Sequence, residues 1–419
     1  MNMKLKLLAI VLIALVTTLS GCGGGSSDST SNSQSNVSND SNNTNSDSGN
    51  TNVDNASGDN AGNTNADNDS NSSEPQPGSL SKEEGHKRVL ASLTDNVILP
   101  GYEAFATQIT TLDYEVTQFC SLPERTESDL ENLKSAWLAS YDAFQTLRAT
   151  KFGPLGESFR YSRLQVWPLS PTRVSESVEA LIDSDTDFSQ SIQSKPHQSI
   201  GLISFEYQLY DQTANKTLLE GEEQVRRCEY LKAMTGSLAL NIGEVIEQWK
   251  SNYGTGFKGE TSSFAQNHEN LEKLYSAWFE YLEVIVDNKL KTVLGAGIPG
   301  APEERESVWA DVSVRNIKTN VTSLQSLFNA DEQYGLDDYL VDVSDQENLL
   351  LQINEHFNAI FAAIEPLEGK SLAIHVAAES GRVQVETLIE KLELLRSVMA
   401  SDFVQVTDIQ TGFNTNDGD

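Results

Sequence analysis

The sequence predicts an all-α protein in which two packed helical bundles follow a disordered N-terminal tether. Apolar residues recur at helical spacing through much of residues 85–419, as one face of an amphipathic helix requires. Segments that alternate between apolar and polar residues, which are typical of strands, are scarce. Residues 22–84 consist mainly of Ser, Asn, Asp, Gly and Thr. That composition buries too little apolar surface to offset the entropy of ordering the chain.

The first 22 residues have the organisation of a bacterial lipoprotein signal. Two lysines precede the apolar stretch Leu7–Leu19, which is too short for a good membrane span. Small residues before Cys22 match the lipobox, at which the cysteine receives a diacylglycerol and residues 1–21 are removed. An ordinary signal peptide with an incidental cysteine is the alternative. Because Gly23 and not aspartate follows the cysteine, we expect an outer-membrane anchor on the periplasmic side, with surface exposure left open.

The acidic composition limits the partners of the protein. A formal net charge of −32 at pH 7 repels nucleic acid and anionic headgroups, so no nucleic-acid partner is expected. The same charge favours solubility and would also attract cations or a basic partner. We therefore expect the chain to reach the membrane through its lipid anchor, and the linker over residues 22–84 to let the folded part stand away from it.

Two cysteines remain after Cys22. Cys120 and Cys228 would lie in an oxidising compartment, where a disulfide between them is the favoured interpretation. Two buried free thiols are the alternative. A structural zinc site is disfavoured, because the chain has only three cysteines and five scattered histidines.

The first bundle is predicted over residues 85–255. A capping box at Ser128–Glu131 begins a helix with one apolar face, which ends before Phe152-Gly153-Pro154. A second long helical pattern runs from Cys228 to Trp249. The following segment, Ser251–Ser263, is rich in Gly, Ser and Thr and is expected to separate the two bundles.

The second bundle is predicted over residues 256–419. Its first helical pattern contains the pentapeptide Leu274–Trp278, which is similar in sequence to Leu133–Trp137 of the first bundle. This similarity favours an internal duplication, with chance similarity between amphipathic helices as the alternative. The two tryptophans are expected to be core anchors more than ligand stackers. Later helices are predicted at Val308–Phe328, Asp345–Ile364 and Leu372–Met399.

Several short motifs occur in a fixed order along the folded part. They are Phe119-Cys120, Ala136-Trp137, Phe152-Gly153-Pro154, Trp167-Pro168, Arg227–Leu231, Ile317–Val321 and the terminal Gly412–Asp419. Their order resembles the imelysin family, which is named after an insulin-cleaving membrane protease and includes iron-regulated periplasmic lipoproteins. The resemblance covers almost the whole folded part and implies two helical bundles with a site between them.

The family signature is Gly-x-His-x-x-Glu, followed by an apolar helix. Gly201 and Glu206 match it, but Ile203 occupies the histidine position. A His and a Glu three residues apart would project from one helix face and share a metal ion or a proton, and isoleucine does neither. Glu206 is interpreted either as a ligand-binding residue or as a structural carboxylate hydrogen-bonded at the bundle interface.

Two other histidines, His197 and His375, are weak candidates to replace the missing histidine of the motif. His197 follows a proline in a segment that is not expected to be α-helical. His375 and Glu379 lie four apart on a predicted helix, but surface solvation is favoured for His375 as for His197. The chain has no His-Glu-x-x-His motif, no Gly-x-Ser-x-Gly elbow and no phosphate-binding Walker loop.

The sequence therefore leaves two candidate functions. The first is a non-catalytic periplasm-facing binding lipoprotein connected with iron or metal uptake, whose partners would include other iron-uptake components. Its ligand would be a divalent or ferric ion bound with Glu206. The alternative is a metal-dependent peptidase of the imelysin family, which the loss of the histidine at Ile203 disfavours. Because of that loss we assign no catalytic residue.

Overall fold

The chain is described by a computed structural model, which covers residues 78–259 and 262–412. These residues form helices and connecting turns and contain no strand, so the predicted all-α class is confirmed. The signal peptide, Cys22 and most of the predicted linker lie outside the described residues. The end of the family-like terminal segment, after Gly412, does so too. The described residues all belong to one compact unit.

Long helices dominate the first half and carry most of its buried apolar residues. The α-helices are α1 (Lys82–Leu93), α2 (Leu99–Ser121), α3 (Glu127–Thr146), α4 (Arg160–Leu164), α5 (Pro171–Ile182), α6 (Leu202–Tyr210), α7 (Gln212–Leu219), α8 (Gln224–Lys250) and α9 (Asn252–Phe257). A π-helical segment, Thr94–Ile98, joins α1 to α2 without a break. Short 3₁₀ turns occupy Arg148–Thr150, Gly153–Leu155, Glu157–Phe159 and His197–Ser199.

The second half has the same character. Its α-helices are α10 (Phe264–Glu283), α11 (Thr292–Leu294), α12 (Ser313–Asn329), α13 (Leu336–Asp342), α14 (Glu347–Ile364), α15 (Leu372–Val376), α16 (Glu379–Val398) and α17 (Val404–Thr407). π-Helical segments at Val284–Lys291 and Met399–Phe403 extend α10 and α16. Two 3₁₀ turns lie at Pro302–Glu304 and Glu365–Leu367. No helix among the described residues is long and apolar enough to cross a membrane.

The two tryptophans of the repeated pentapeptide lie in the core. Trp137 is fully buried where α3 meets α6, and its indole nitrogen donates to the carbonyl oxygen of Leu202 at 3.0 Å. Trp278 is fully buried where α10 meets α12, and it donates to the carbonyl oxygen of Leu324 at 2.7 Å. Each ring combines a large apolar contact with a satisfied N–H. Each therefore ties its own helix to the backbone of another helix.

The two halves are in direct contact. Helix α3 packs against α12, and α1 packs against α10. The predicted boundary segment is itself partly helical, because α9 lies inside it and Phe257 is buried, 5.2 Å from Trp249 between ring centroids. That contact attaches the segment to the end of α8. The division into residues 85–255 and 256–419 stays a prediction, as does the internal duplication.

Several predicted helix ends differ from the structure, including the start of α12 at Ser313, where Val308 was predicted. The capping box before α3 is Thr126 with Asp129, two residues earlier than predicted, because both reciprocal hydrogen bonds form there. Helix α1 begins at Lys82, inside the predicted linker, with the Ser81 hydroxyl accepting the N–H of Glu84. The predicted helix over residues 372–399 breaks after Val376. The backbone turns there, and Gly381 comes so close to His375 that a Cβ atom would lie 2.4 Å from the His375 carbonyl oxygen.

A disulfide joins Cys120, at the end of α2, to Cys228, near the start of α8, with their Cα atoms 5.6 Å apart. Helix α8 packs along α2 over much of its length. The bond therefore fastens one end of a long helix pair that the apolar core already holds together.

Candidate functional site at Glu206

The signature helix α6 starts at a backbone position that demands glycine. Gly201 has a φ of +87°, a region that residues with a Cβ atom rarely adopt. A Cβ atom at Gly201 would lie 2.6 Å from the carbonyl oxygen of Leu164 and 2.8 Å from that of Arg163. The glycine therefore lets the start of α6 approach α4 closely. It also fixes where the side chains of Ile203 and Glu206 project.

Glu206 holds a segment of the second half. Its Oε1 atom accepts the backbone N–H of Trp309 at 3.0 Å and that of Ala310 at 2.9 Å. Both donors lie just before α12, about a hundred residues away in the sequence. This geometry is the interface hydrogen bonding that one interpretation of Glu206 expects. The Glu206 side chain is only 1% exposed.

Burial changes the charge of this carboxyl group. Desolvation raises the pKa of Glu206 from 4.5 to about 8, although the two backbone N–H groups act in the opposite direction. A large share of the Glu206 side chains therefore carries a proton near neutral pH, and the group adds little fixed negative charge.

The motif does not supply the donors that a metal ion needs. Ile203 lies one helical turn before Glu206, is 5% exposed, and presents hydrocarbon where the family has a nitrogen ligand. The one carboxylate at the motif already accepts two amide protons. Across residues 78–259 and 262–412, no three His, Cys, Asp or Glu side chains converge in a way that could hold a metal ion. A metal ion therefore does not fit at Gly201–Glu206.

The remaining histidines do not gather at the motif. His197 is half-buried in a 3₁₀ turn, with its ring centroid 5.8 Å from that of Phe159. His375 is buried and not solvated, and its Nε2 lies 3.1 Å from the carbonyl oxygen of Leu367. The expectation that His375 is solvated at the surface is therefore wrong. His375 and Glu379 also cannot form the helical i,i+4 pair considered as the alternative, because the two residues lie on separate helices.

An open cleft borders the segment that Glu206 holds. Its volume is about 810 Å³, and Ala310 contributes to its wall. Charged side chains of both halves line the cleft in pairs. Arg315 donates to Asp142 at 2.8 Å, and Lys318 lies 2.5 Å from Glu368. The cleft is polar and crosses from α3 to α12, so it suits a hydrophilic ligand more than an apolar one.

A buried charged network that was not predicted from the sequence lies beside the interface. Glu306 bonds Arg148 through Oε1 and Lys289 through Oε2, the latter at 2.7 Å, and all three side chains are at most 3% exposed. Lys289 also donates to Asn320 at 2.6 Å. The signal was present in the sequence. Lys289 continues the apolar stripe of α10, four residues after Ile285, where a solvated lysine is not expected.

The network balances its charges against burial. Burial by itself would raise the pKa of Glu306, but Arg148 and Lys289 together lower it to about 2. Burial lowers the pKa of Lys289 to about 7, against the opposing effect of Glu306. The Glu306 carboxylate is therefore the shared counter-charge of Arg148 and Lys289. The network carries a net positive charge whenever Lys289 is protonated.

The sequence model of the imelysin family matches residues 98–399, more than half of the chain. The chain belongs to the imelysin family. Its fold is shared by an imelysin-like protein from Psychrobacter arcticum 273-4, which is 16% identical and has a TM-score of 0.66. The likeness covers 79% of this chain and 98% of that one. No curated protein matches the chain.

A second imelysin-fold neighbour is named iron-regulated protein A precursor and comes from Parabacteroides distasonis ATCC 8503. It is 16% identical with a TM-score of 0.61, and the likeness covers 77% of this imelysin-family chain and 98% of that protein. Identities this low establish a common fold. The reference to iron regulation in that name applies to the neighbour.

Proposed function

We propose that this imelysin-family protein is a lipid-anchored, non-catalytic binding protein that serves iron or metal uptake on the periplasmic side of the outer membrane. The main supporting observation is the pair of backbone N–H groups, from Trp309 and Ala310, that both donate to Oε1 of Glu206. A carboxylate used in this way, with Ile203 beside it, supports a role in holding the two halves together.

The iron connection rests on two further points. One structural neighbour is named an iron-regulated protein, and the acidic composition of this chain favours cations near its surface. The polar cleft beside Ala310 is the binding region we favour, since its wall comes from both halves and offers carboxylates, hydroxyls and cations. Among the residues that the structure describes, no three acidic, histidine or cysteine side chains converge there, so an iron ion would bind with few protein ligands and complete its coordination with water or a hydrophilic chelator. Other iron-uptake components are the expected partners.

The alternative is a metal-dependent peptidase. A catalytic zinc site usually has three protein ligands and one open position for water. At the family motif this chain offers Glu206 alone. A metal-dependent peptidase would therefore need metal ligands from elsewhere in the chain, so we rank it below the binding protein.

The first test is metal binding by the purified folded part. Ferric, ferrous, zinc and calcium ions are titrated in calorimetry, and bound metal is measured after dialysis. The proposal expects iron binding that Glu206→Gln leaves unchanged and that Asp142→Asn, in the cleft, weakens. Iron binding that disappears in Glu206→Gln would place the ligand at the motif and overturn this assignment.

The second test separates binding from catalysis. Wild type is incubated with unfolded peptides and each metal ion, beside Ile203→His, which restores the family residue, and Ile203→Leu, its hydrocarbon control. We expect no turnover by wild type or Ile203→Leu, and tighter zinc binding by Ile203→His. Metal-dependent cleavage by wild type that Glu206→Gln abolishes would favour the peptidase instead.

A further inference from the structure

A second cavity shares no lining residue with the cleft at Ala310, and Arg148 of the charged network forms part of its wall. Its volume is about 280 Å³, and residues of both halves form its wall. The first half contributes residues between the end of α3 and α5, and the second half contributes α10 with its π-helical extension. The lining residues that matter here are Arg148, Lys151, Tyr161, Trp167, Glu280 and Tyr281.

Arg148 presents an unused donor to this cavity. Its side chain is 3% exposed, Nε donates to the Tyr161 hydroxyl at 2.9 Å, and Nη1 donates to Glu306. Within the described part of the chain, no acceptor bonds its Nη2 group, although Arg148 forms part of the cavity wall. A buried guanidinium normally has its donors satisfied. The Nη2 group is therefore free to donate to an acceptor that enters the cavity.

The charges around the cavity favour an anion. Arg148 and Lys151 line it together with one carboxylate, Glu280. Behind the wall, Glu306 is shared between Arg148 and Lys289. Three basic side chains thus face two carboxylates, and the excess positive charge is present while Lys289 is protonated, in a protein whose overall charge is strongly negative. A ligand with one negative charge would balance the group.

The rest of the wall is aromatic. Trp167 is half-buried and does not belong to the hydrophobic core, unlike the buried Trp137 and Trp278. The Trp167 ring centroid lies 5.7 Å from the guanidinium carbon of Arg148, which places a flat apolar surface beside the cation. Tyr281 forms another part of the wall. Planar rings next to a cation suit a flat apolar body that carries an anionic group.

We propose that this cavity binds a small organic carboxylate with a flat apolar body. Its carboxylate would accept from Nη2 of Arg148, with Lys151 nearby, and its body would lie against Trp167. Arginine offers the planar donor geometry that carboxylates use well. The site is separate from the cleft beside Glu206, and its occupation requires no metal ion, so it goes beyond the proposed function.

Three matched probes test the ligand class on metal-free protein. Benzoate has both the carboxylate and the flat ring, benzamide keeps the ring without the charge, and acetate keeps the charge without the ring. Binding is followed by calorimetry and by tryptophan fluorescence. We expect benzoate to bind at least about tenfold more tightly than either control, because each lacks one of the two contacts. Equal binding of benzoate and benzamide, or no binding of benzoate, would overturn the proposal.

Variants locate the site. Trp167→Phe should remove the fluorescence response to benzoate while calorimetry still detects binding. Lys151→Gln, at an exposed position, should weaken binding, and Arg148→Lys should weaken it by about tenfold or more. If Arg148→Lys fails to fold, the first two variants decide. Lys318→Gln in the cleft beside Ala310 is the control and should leave benzoate affinity unchanged. Loss of benzoate binding in that control, with none in Lys151→Gln, would assign the ligand to the cleft and reject this cavity. Neither result depends on whether the protein binds iron.

Discussion

Oε1 of Glu206 lies 2.9 Å from the backbone nitrogen of Ala310, so a side chain of α6 holds the segment that leads into α12. The same oxygen accepts the N–H of Trp309. In this chain the family's glutamate therefore acts as a clamp between the two halves. A clamp needs an acceptor oxygen but no negative charge, which separates it experimentally from a metal ligand.

Glu206→Gln should keep the clamp and reduce the pH dependence of stability. The amide oxygen still accepts both N–H groups, but the side chain no longer titrates. In wild type the folded pKa is raised from 4.5 to about 8. The stability from this group is therefore fully present below about pH 4.5 and is lost as the pH rises through about 8. Between about pH 5 and about pH 8, the free energy of unfolding measured with denaturant should fall less in Glu206→Gln than in wild type. The difference should be a few kcal/mol, because one pKa unit corresponds to about 1.4 kcal/mol.

Glu386→Gln, on the exposed side of α16, is the matched control and should follow wild type. If Glu206→Gln declined as steeply as wild type, the burial of Glu206 would not govern this part of the pH profile. If it were much less stable even near pH 5, where the wild-type side chain is protonated, the amide would not reproduce the hydrogen bonding of the Glu206 carboxyl group.

The sequence was most informative where periodicity determines burial. Trp137 and Trp278 follow apolar patterns of period 3.6, and both lie in the core, because a helix with one apolar face must bury it. Helix ends were less certain. Ser128 and Thr126 are both good N-cap residues, and only the hydrogen bonds to Asp129 decide between them.

The site was harder to predict because its contacts join residues distant in sequence. Glu206 could be read from the motif, but its donors, Trp309 and Ala310, belong to no motif and act through their backbone. Arg148 and Glu306 are 158 residues apart. Their pairing depends on how α3 packs against the second half, which no local pattern encodes. Lys289 could have been singled out, as a lysine on an apolar stripe.

Glu306→Gln should destabilise the fold strongly. It leaves the buried Arg148 and Lys289 side chains without their shared counter-charge. Breaking a buried ion pair by removing one partner costs about 3–5 kcal/mol. Glu393→Gln, which removes the exposed partner of Lys291 on the same π-helical segment, should cost no more than about 1 kcal/mol. Denaturant unfolding at neutral pH measures both changes.

The double variant Glu306→Gln with Lys289→Met provides the cross-check. It removes one buried cation together with the carboxylate, so it should recover part of the stability that Glu306→Gln loses. A double variant whose loss of stability equals the sum of the two single losses would mean that Lys289 contributes independently of Glu306, mainly through Asn320, which it bonds at 2.6 Å.

Opening the disulfide should lower stability without changing the helical fold. Cys120 and Cys228 close a loop of 108 residues, and linking residues that far apart stabilises a fold by about 4 kcal/mol in the chain-entropy description. Cys120→Ala with Cys228→Ala should therefore unfold at lower denaturant while its circular dichroism stays helical. Non-reducing mass spectrometry of protein from the periplasm should find the Cys120–Cys228 peptide pair. Two free thiols in that material would contradict the pairing.

Cys22→Ser should abolish lipidation and membrane association. The prediction rests on the small residues before Cys22 and on the apolar stretch Leu7–Leu19. Serine has no thiol to receive the diacylglycerol, and the described residues contain no helix that could span a membrane in its place. Labelled palmitate should enter wild type, which should sediment with the outer-membrane fraction, whereas Cys22→Ser should take up no label. Cys120→Ala with Cys228→Ala is the control and should be labelled like wild type, because its lipobox is intact. Label on Cys22→Ser, or sedimentation of that variant with the membrane fraction, would show that another feature of the chain makes the attachment.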